Sequence, residues 1–573
     1  MATHPDRPGR GKKSVLRATA MLCAAALLLL LAACGSGPAN QARATTSTLR
    51  VVHAPGQTNP DLFNPYFDDN HGADYGAQGF LYETLYIVNL YNGKEIPWLA
   101  SSYEYNQALT TITFHLHPGI KWNDGQPLTS ADVVFTFQLM QQHPDLDQNG
   151  VLNYFKTVSA PDSSTVVFTL PGPDSTALFH LGGNVYIVPQ HIWSSVSGDP
   201  AKFANDSKPV GTGPYLLDSW NTNLVTYKAN ASYWGSRPAV KVIQIPSEKD
   251  NSTAITDMIS GKLDWMGTGW NPNLDPGYLG KSPNNHEFFA PSNTVMLYLN
   301  LQKAPFSNLA FRKAVSAAIV RSNLPTGVAQ YAKEADPTGV IVPTFKDWIT
   351  VNTQFEDSSK VDGYMKQAGF VKGSDGFYKY ASGAPFSMTV NVPGPWSDWA
   401  QDVQNIVTDL NTAGIRAFAN YQANYDPYFP DLQSGNYQAA ISWTNSGPNP
   451  YYAYQALLAS ANSAAPGKPV AGTNFERWDS ATSNGYAAQT DALLARFEAT
   501  SDAATQRQAI SGIEQIMVSQ LPAIPLTVNV TWDEYTTTNW VGWPDANSPY
   551  DYGSPYSMPD AENVILHLKP AHL

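Results

Sequence analysis

Trp396 and Trp399 stand three residues apart in Pro393-Gly-Pro-Trp-Ser-Asp-Trp399, where a Gly/Pro loop meets the start of a helix. A third indole, Trp443, ends a run that leaves a turn at Gly435 and becomes β-prone. Ser442 precedes it, neutral Thr444, Asn445 and Ser446 follow, and a Pro-rich loop, Pro448-Asn-Pro-Tyr-Tyr452, comes next. Trp265 and Trp270 sit in a further ring-bearing loop after a strand. Indole and phenol faces stack on flat or apolar surfaces, while hydroxyls and amides fix orientation through hydrogen bonds. The candidate ligand-binding residues are therefore Trp270, Trp396, Trp399 and Trp443. Ser442, Thr444, Asn445, Ser446 and Tyr451 are their polar and aromatic neighbours. The chain holds 15 Trp and 30 Tyr, so ordinary core packing competes for each single ring.

Catalytic chemistry has no comparable signal. Gly211-Thr-Gly213 lacks the Gly-Lys-Ser/Thr of a phosphate loop, and the 11 His are scattered without a His-Glu-x-x-His pair. Asp145-Leu-Asp-Gln-Asn-Gly150 begins like a calcium loop, but the twelfth position is Lys156 where a bidentate Glu is required. No Gly-x-Ser-x-Gly elbow occurs. The only cysteines are Cys23 and Cys34, so the chain beyond them has no disulfide, thiolate metal site or thiol nucleophile. The expectation is a protein without cofactor or metal that is not an enzyme.

Cys34 has chemistry of another kind. Arg7, Arg10, Lys12, Lys13 and Arg17 precede an apolar run, Met21 to Ala33, that closes on small residues. Basic, apolar, small is the layout of a secretory signal peptide, and the run is too short for a spanning helix. Leu31-Ala-Ala-Cys34 resembles a bacterial lipobox, which implies lipidation of Cys34 after removal of residues 1–33. Residues 34–47 read as a flexible tether. The expected location is the extracytoplasmic face of a membrane, held by lipid.

Composition agrees with a large folded domain there. Hydrophobic residues make up 43% and charged residues 14% of a chain with net charge −13. Removing the basic leader leaves the rest more acidic still, which argues against nucleic acid as a partner. Short β-prone runs alternate with amphipathic helices, which points to α/β lobes. Thr48–His53 reads as a strand, Phe80–Leu90 as β-prone, and Thr111–Leu116 as a half-buried strand of period two. Thr129 and Asp132 make a capping box before a helix. Leu309–Arg321 and Ser397–Leu410 read as helices, the second capped by Ser397 and ended by Gly414; two more cover 491–500 and 504–518. Gly211 and Gly213 suggest positive φ before a strand.

The order of several segments then resembles one family. Asn64-Pro65, Pro97-Trp-Leu-Ala100 and Phe114-x-Leu-His-x-Gly119 lead to Lys121-Trp-Asn-Asp-Gly-Gln-Pro-Leu-Thr-Ser-Ala-Asp-Val133. Pro209-Val-Gly-Thr-Gly-Pro-Tyr215, Tyr233-Trp-Gly235, Ser260-Gly-Lys-Leu-Asp264, Asn300 with Phe306 and Arg312-Lys-Ala314, and Leu521-Pro-x-Ile-Pro525 follow in sequence. This series resembles the family 5 extracellular solute-binding proteins of ABC importers. The resemblance implies an α/β, periplasmic-binding-protein-like fold with two main lobes, an extra lobe and a hinged ligand cleft. Lobe I would take 48–70, 208–290 and 525–573, lobe II 71–207 and lobe III 291–524. Implied partners are a small-molecule ligand, an ABC permease and an ATPase, for a receptor expected to be a monomer. In the peptide receptors of the family an Asp stands three residues after the Trp of the Trp443 segment and pairs with the ligand's α-ammonium; here that position is Ser446. Asp398, Asp426 and Glu476 remain available to supply the charge from other loops. The Trp396/Trp399 pair and neutral Thr444–Ser446 resemble the cello-oligosaccharide branch instead. Oligopeptides are the expected ligand, with oligosaccharides the alternative.

Overall fold

In the computed structural model, residues 47–52, 59, 61–66, 76–147, 149–267, 275–324, 331–340, 344–423 and 425–572 are described. Cys34, the tether as far as residue 46, and Trp270 lie outside them. Among the described residues no helix is long and apolar enough to cross a membrane.

Three sheets carry the fold. The first has seven strands, in the order 285–287, 534–536, 265–266, 48–52, 242–246, 224–229 and 215–221. Its centre is Thr48–Val52, parallel to Val242–Pro246 on one side and to Trp265–Met266 on the other. The second is an antiparallel sheet of four strands between residues 100 and 169. Its strand Thr111–Leu116 buries Ile112, Phe114 and Leu116 and turns Thr111, Thr113 and His115 outward, as its alternation predicts. Ser130–Gln142 follows as a helix, and the Asp132 carboxylate accepts the Thr129 amide at 2.9 Å, the predicted box.

The third sheet has six strands, in the order 333–334, 524–531, 290–299, 439–443, 388–393 and 417–422. Ala290–Leu299 runs antiparallel to both Ala439–Trp443 and Ile524–Thr531. The last pairing corrects a boundary. Residues 524–531 belong to this sheet, and the chain rejoins the seven-stranded sheet only at Glu534–Thr536. The unbroken β-prone run Ile-Pro-Leu-Thr-Val-Asn-Val-Thr has no turn residue at 525 to divide it.

Local chemistry corrects other expectations. Trp396, not Ser397, occupies the cap position of helix Ser397–Ala413, while Gly414 ends it at φ 92° as expected. The turn at Gly435 stands, at φ 75°, but residues 431–434 before it are the end of a helix, Tyr425–Ser434, whose Pro430 hides the pattern. The supposed Pro-rich loop begins the helix Pro450–Leu458, where the Asn449 side chain accepts the Tyr451 amide and Pro450 takes the first turn. Leu309–Ala318 stops short of Arg321, whose guanidinium turns back to the carbonyls of Ser316 and Pro525. The later helices are Tyr486–Glu498 and Ala503–Gln520. Of the β-prone run 80–90, only Tyr86–Val88 forms a strand.

Gly211 and Gly213 are required for a reason other than positive φ. A Cβ on Gly211 would lie 1.9 Å from the Leu81 carbonyl oxygen, and one on Gly213 2.2 Å from that of Phe80. Backbone meets backbone here: Gly213 N–H donates to Leu81 at 3.0 Å and Tyr215 N–H to Phe80 at 3.1 Å. Gly213→Ala should therefore lower the thermal midpoint, with a loss of about 1–3 kcal/mol for forced overpacking. An unchanged melting curve by circular dichroism would remove this account of the glycines.

Two buried carboxyl pairs involve the C-terminal segment, and one of them, Glu83 with Glu562, joins it to the core. Glu83 accepts Trp98 Nε1 at 2.9 Å, Tyr233 OH at 2.7 Å and Trp234 Nε1 at 2.9 Å. Glu562 lies against it, and burial, then the Glu83 charge, pushes its carboxyl well above the ordinary range. Asp551 is pushed up to about 7 by burial, although Asn563 donates to it. Its neighbour Asp560 is driven higher by burial and by Asp551. A carboxyl whose pKa is raised by folding binds its proton more tightly in the folded chain, so its contribution is full below about pH 4 and is lost as pH rises through the folded value. Glu562→Gln keeps the shape and removes the charge. The variant should be more stable than the parent at pH 7–8, by about 1–3 kcal/mol, with the advantage closing near pH 4. Thermal melts across pH check this, and an advantage that persists at pH 4 would contradict it.

Candidate functional site

The strand Ala439–Trp443 delivers Trp443 to the edge of a buried ladder, opposite Val295. The chain does not leave the sheet there. Thr444 donates its amide to the Thr294 carbonyl at 2.9 Å, and its hydroxyl accepts the Thr294 amide at 3.2 Å. Ser446 donates its hydroxyl to the Ser292 carbonyl at 3.1 Å. Thr444 and Ser446 thus hold the segment in register, and Asn445 between them is exposed. The Trp443 carbonyl accepts the Tyr298 hydroxyl at 3.1 Å.

The helix Ser397–Ala413 begins beside this strand, because Met388–Pro393 lies next to Ala439–Trp443 in the sheet. Trp396, Trp399 and Trp443, separated in sequence, meet as one cluster. The Trp396 and Trp443 rings stack at 5.6 Å with planes 21° apart. Trp399 stands edge-on to Trp396 at 5.0 Å and tilted to Trp443 at 5.2 Å. Trp399 is 4% exposed, whereas Trp396 and Trp443 are half-buried and keep surface for a partner.

Two pockets open near these segments. One, with about 360 Å³ of open space, is mainly apolar; Met296, Phe345, Tyr454 and Leu457 line it, and Thr444, Asn445 and Asn449 edge it. The other has about 280 Å³ of open space, part of it continuous with solvent, and lies between the helix start and strand 524–531, lined by Asp398, Trp399, Asp402, Thr527, Asn529 and Trp532. Asp398 is half-buried and Asp402 is buried. Burial raises both carboxyls, and the Asp398 charge adds to the rise at Asp402.

Other predicted residues are placed differently. Ser442 is 2% exposed within the ladder. Tyr451 is fully buried, its hydroxyl bonded to Glu498 and its ring stacked on Phe497 at 4.5 Å, so it presents no face to a ligand. Burial follows from its place in the first turn of helix Pro450–Leu458 rather than in a loop. Trp265 is core, donating its indole N–H to Asp533 at 2.8 Å and to the Gly553 carbonyl at 2.7 Å. Glu476 is fully enclosed, and the Asp426 side chain lies outside the described residues. Asp402 and Trp532 were not anticipated. Asp402 follows Asp398 by one helical turn, a spacing visible in the sequence; nothing in the sequence ties Trp532 to Trp399.

Comparison with known proteins fits this architecture. The family described as bacterial extracellular solute-binding proteins, family 5 (middle), matches residues 94–465. The chain is 25% identical to the dipeptide-binding protein of Escherichia coli (strain K12) over 453 residues, 73% of this chain and 79% of that one. The crystal structure of a periplasmic oligopeptide-binding protein of an ABC transporter from Thermotoga maritima superposes with a TM-score of 0.82 at 25% identity, covering 91% of this chain and 99% of that chain. A second structure of that protein, with mannohexaose bound, gives 0.80 at 25% identity and covers 92% and 99%. With most of its length so matched, the chain belongs to the bacterial extracellular solute-binding proteins of family 5, receptors of ABC importers and not enzymes.

Proposed function

We propose that this receptor is lipid-anchored through Cys34, captures oligopeptides outside the cytoplasm and hands them to a membrane permease powered by an ATPase. The observation that carries the binding assignment is the meeting of Trp396, Trp399 and Trp443 beside two pockets on the six-stranded sheet. Half-buried rings offer large, rigid contact area at little entropic cost, and a concave site beside them gives a ligand depth. The ligand would lie between the part of the chain built on this sheet and the part built on the seven-stranded sheet, with hinge closure favoured by contacts to both. Trp270 stays a candidate contact.

A second reading, an oligosaccharide receptor, is favoured by one feature. Ser446 cannot neutralise a ligand's ammonium, and its hydroxyl is engaged by the Ser292 carbonyl. The similar Thermotoga maritima protein holds mannohexaose in one of its structures.

Titration with di- to hexapeptides and with cello-oligosaccharides separates the two. Peptides should give saturable heat and shift the tryptophan emission, since Trp399 and Trp532 line one of the pockets; heat from sugars alone would sink the peptide reading. Cys34→Ala should release the protein from membranes into the soluble fraction, and continued membrane retention would refute anchorage at that residue.

A further inference from the structure

Among the described residues, the pocket beside Trp399 gathers two carboxylates and no cation. Asp398 and Asp402 lie one turn apart on helix Ser397–Ala413, so they share a face, and both line the pocket of about 280 Å³. Asp402 is 2% exposed, and its Oδ1 is buried without a hydrogen-bond partner. None of the described residues lining the pocket carries positive charge. Burial is the main influence on Asp402, and the like charge of Asp398 is the other. A carboxylate oxygen placed there loses its water and faces repulsion, and none of the described residues repays either. Other buried acids differ in how they are served: Glu476 also keeps both oxygens buried without a hydrogen-bond partner, but it lines neither pocket, while others are bonded at one oxygen or both. Glu83 receives three side-chain donors, and Glu514 receives the Thr350 amide and hydroxyl.

We infer that Asp398 and Asp402 form a recognition site for an organic ammonium group carried by the ligand, with the neighbouring indoles holding the ligand's body. This inference rests on the receptor reading above and narrows its ligand class. An ammonium brings three N–H donors and one positive charge, so it can serve Oδ1 of Asp402 and reach Asp398 at once. Trp399 and Trp532 in the same wall add attraction between a cation and an indole face. Asn529 and Thr527 give neutral polar contacts for the atoms next to the nitrogen. The same chemistry has two sources, the free amino end of a peptide and the amine of an amino-sugar oligomer.

Two matched pairs test the site by calorimetry: trialanine against N-acetyl-trialanine, and a glucosamine trimer against its N-acetylated form. Within each pair, acetylation removes the positive charge. The expected result is that in at least one pair the amine binds about tenfold tighter or better. Asp402→Asn and Asp398→Asn should each remove most of that preference while the acetylated partner binds as before. The preferred pair identifies the source. Amine binding should also release protons, seen as a dependence of the heat on the buffer's ionisation enthalpy. Both variants should melt no lower than the parent, which separates a lost site from a lost fold. Equal binding within both pairs, or a preference that survives Asp402→Asn, overturns the site and leaves the receptor reading standing. Absence of binding by either amine also overturns it; if longer peptides and cello-oligosaccharides fail to bind as well, the receptor reading falls with it.

Discussion

The strand Ala290–Leu299 is almost wholly buried and is hydrogen-bonded along both edges, to residues 439–443 on one side and 524–531 on the other. Inside a protein no water completes a missing ladder bond, so each of its amides and carbonyls needs a backbone or side-chain partner. Both partners come from distant parts of the chain, and the fold is committed once they dock. The exchange between Thr294 and Thr444 and the bond from Ser446 to Ser292 carry the pairing past the end of the strand. Trp443 is thereby fixed in position. Because Met388–Pro393 lies on the far side of Ala439–Trp443, the helix that follows it starts within reach, and three indoles from two segments converge. The candidate site is a by-product of one buried ladder.

Much of this was legible where a local rule acts alone. The strand Thr111–Leu116 and the Thr129/Asp132 cap follow from alternation and spacing, and both stand where expected. Misreadings occurred where two rules compete. Pro448 and Pro450 read as loop because proline breaks helices, yet Asn449 before Pro450 is also the signature of a helix start, and that reading prevails. Pro430 masked a helix in the same way. The boundary near 525 failed for another reason: strand membership is decided by a partner far along the chain, which composition does not announce.

The indoles of the site were legible as residues, but their meeting was not. Trp396, Trp399 and Trp443 are conspicuous in sequence, whereas their stacking depends on sheet order. Tyr451 shows the converse. Its neighbours looked like a binding loop, and helix geometry turned the ring onto Phe497 instead. Asp402 had a readable spacing from Asp398, but its significance lies in burial and in the missing partner of Oδ1, properties that only packing reveals. Glycine was noticed at 211 and 213 for its dihedral freedom, while the structure needs its lack of a side chain.

That crossing has an architectural meaning. The chain leaves Phe80–Leu81, builds the four-stranded sheet, and returns to touch its own departure point at Gly213–Tyr215. The excursion is closed at a neck two residues wide. Closing a loop costs little more as it lengthens, about 0.6 kcal/mol for each doubling. Insertions and deletions can therefore accumulate inside the excursion while the register of the seven-stranded sheet stays untouched. The neck admits no such tolerance, since a single methyl group there would pry the two backbones apart. The two glycines that allow this close approach line neither candidate pocket.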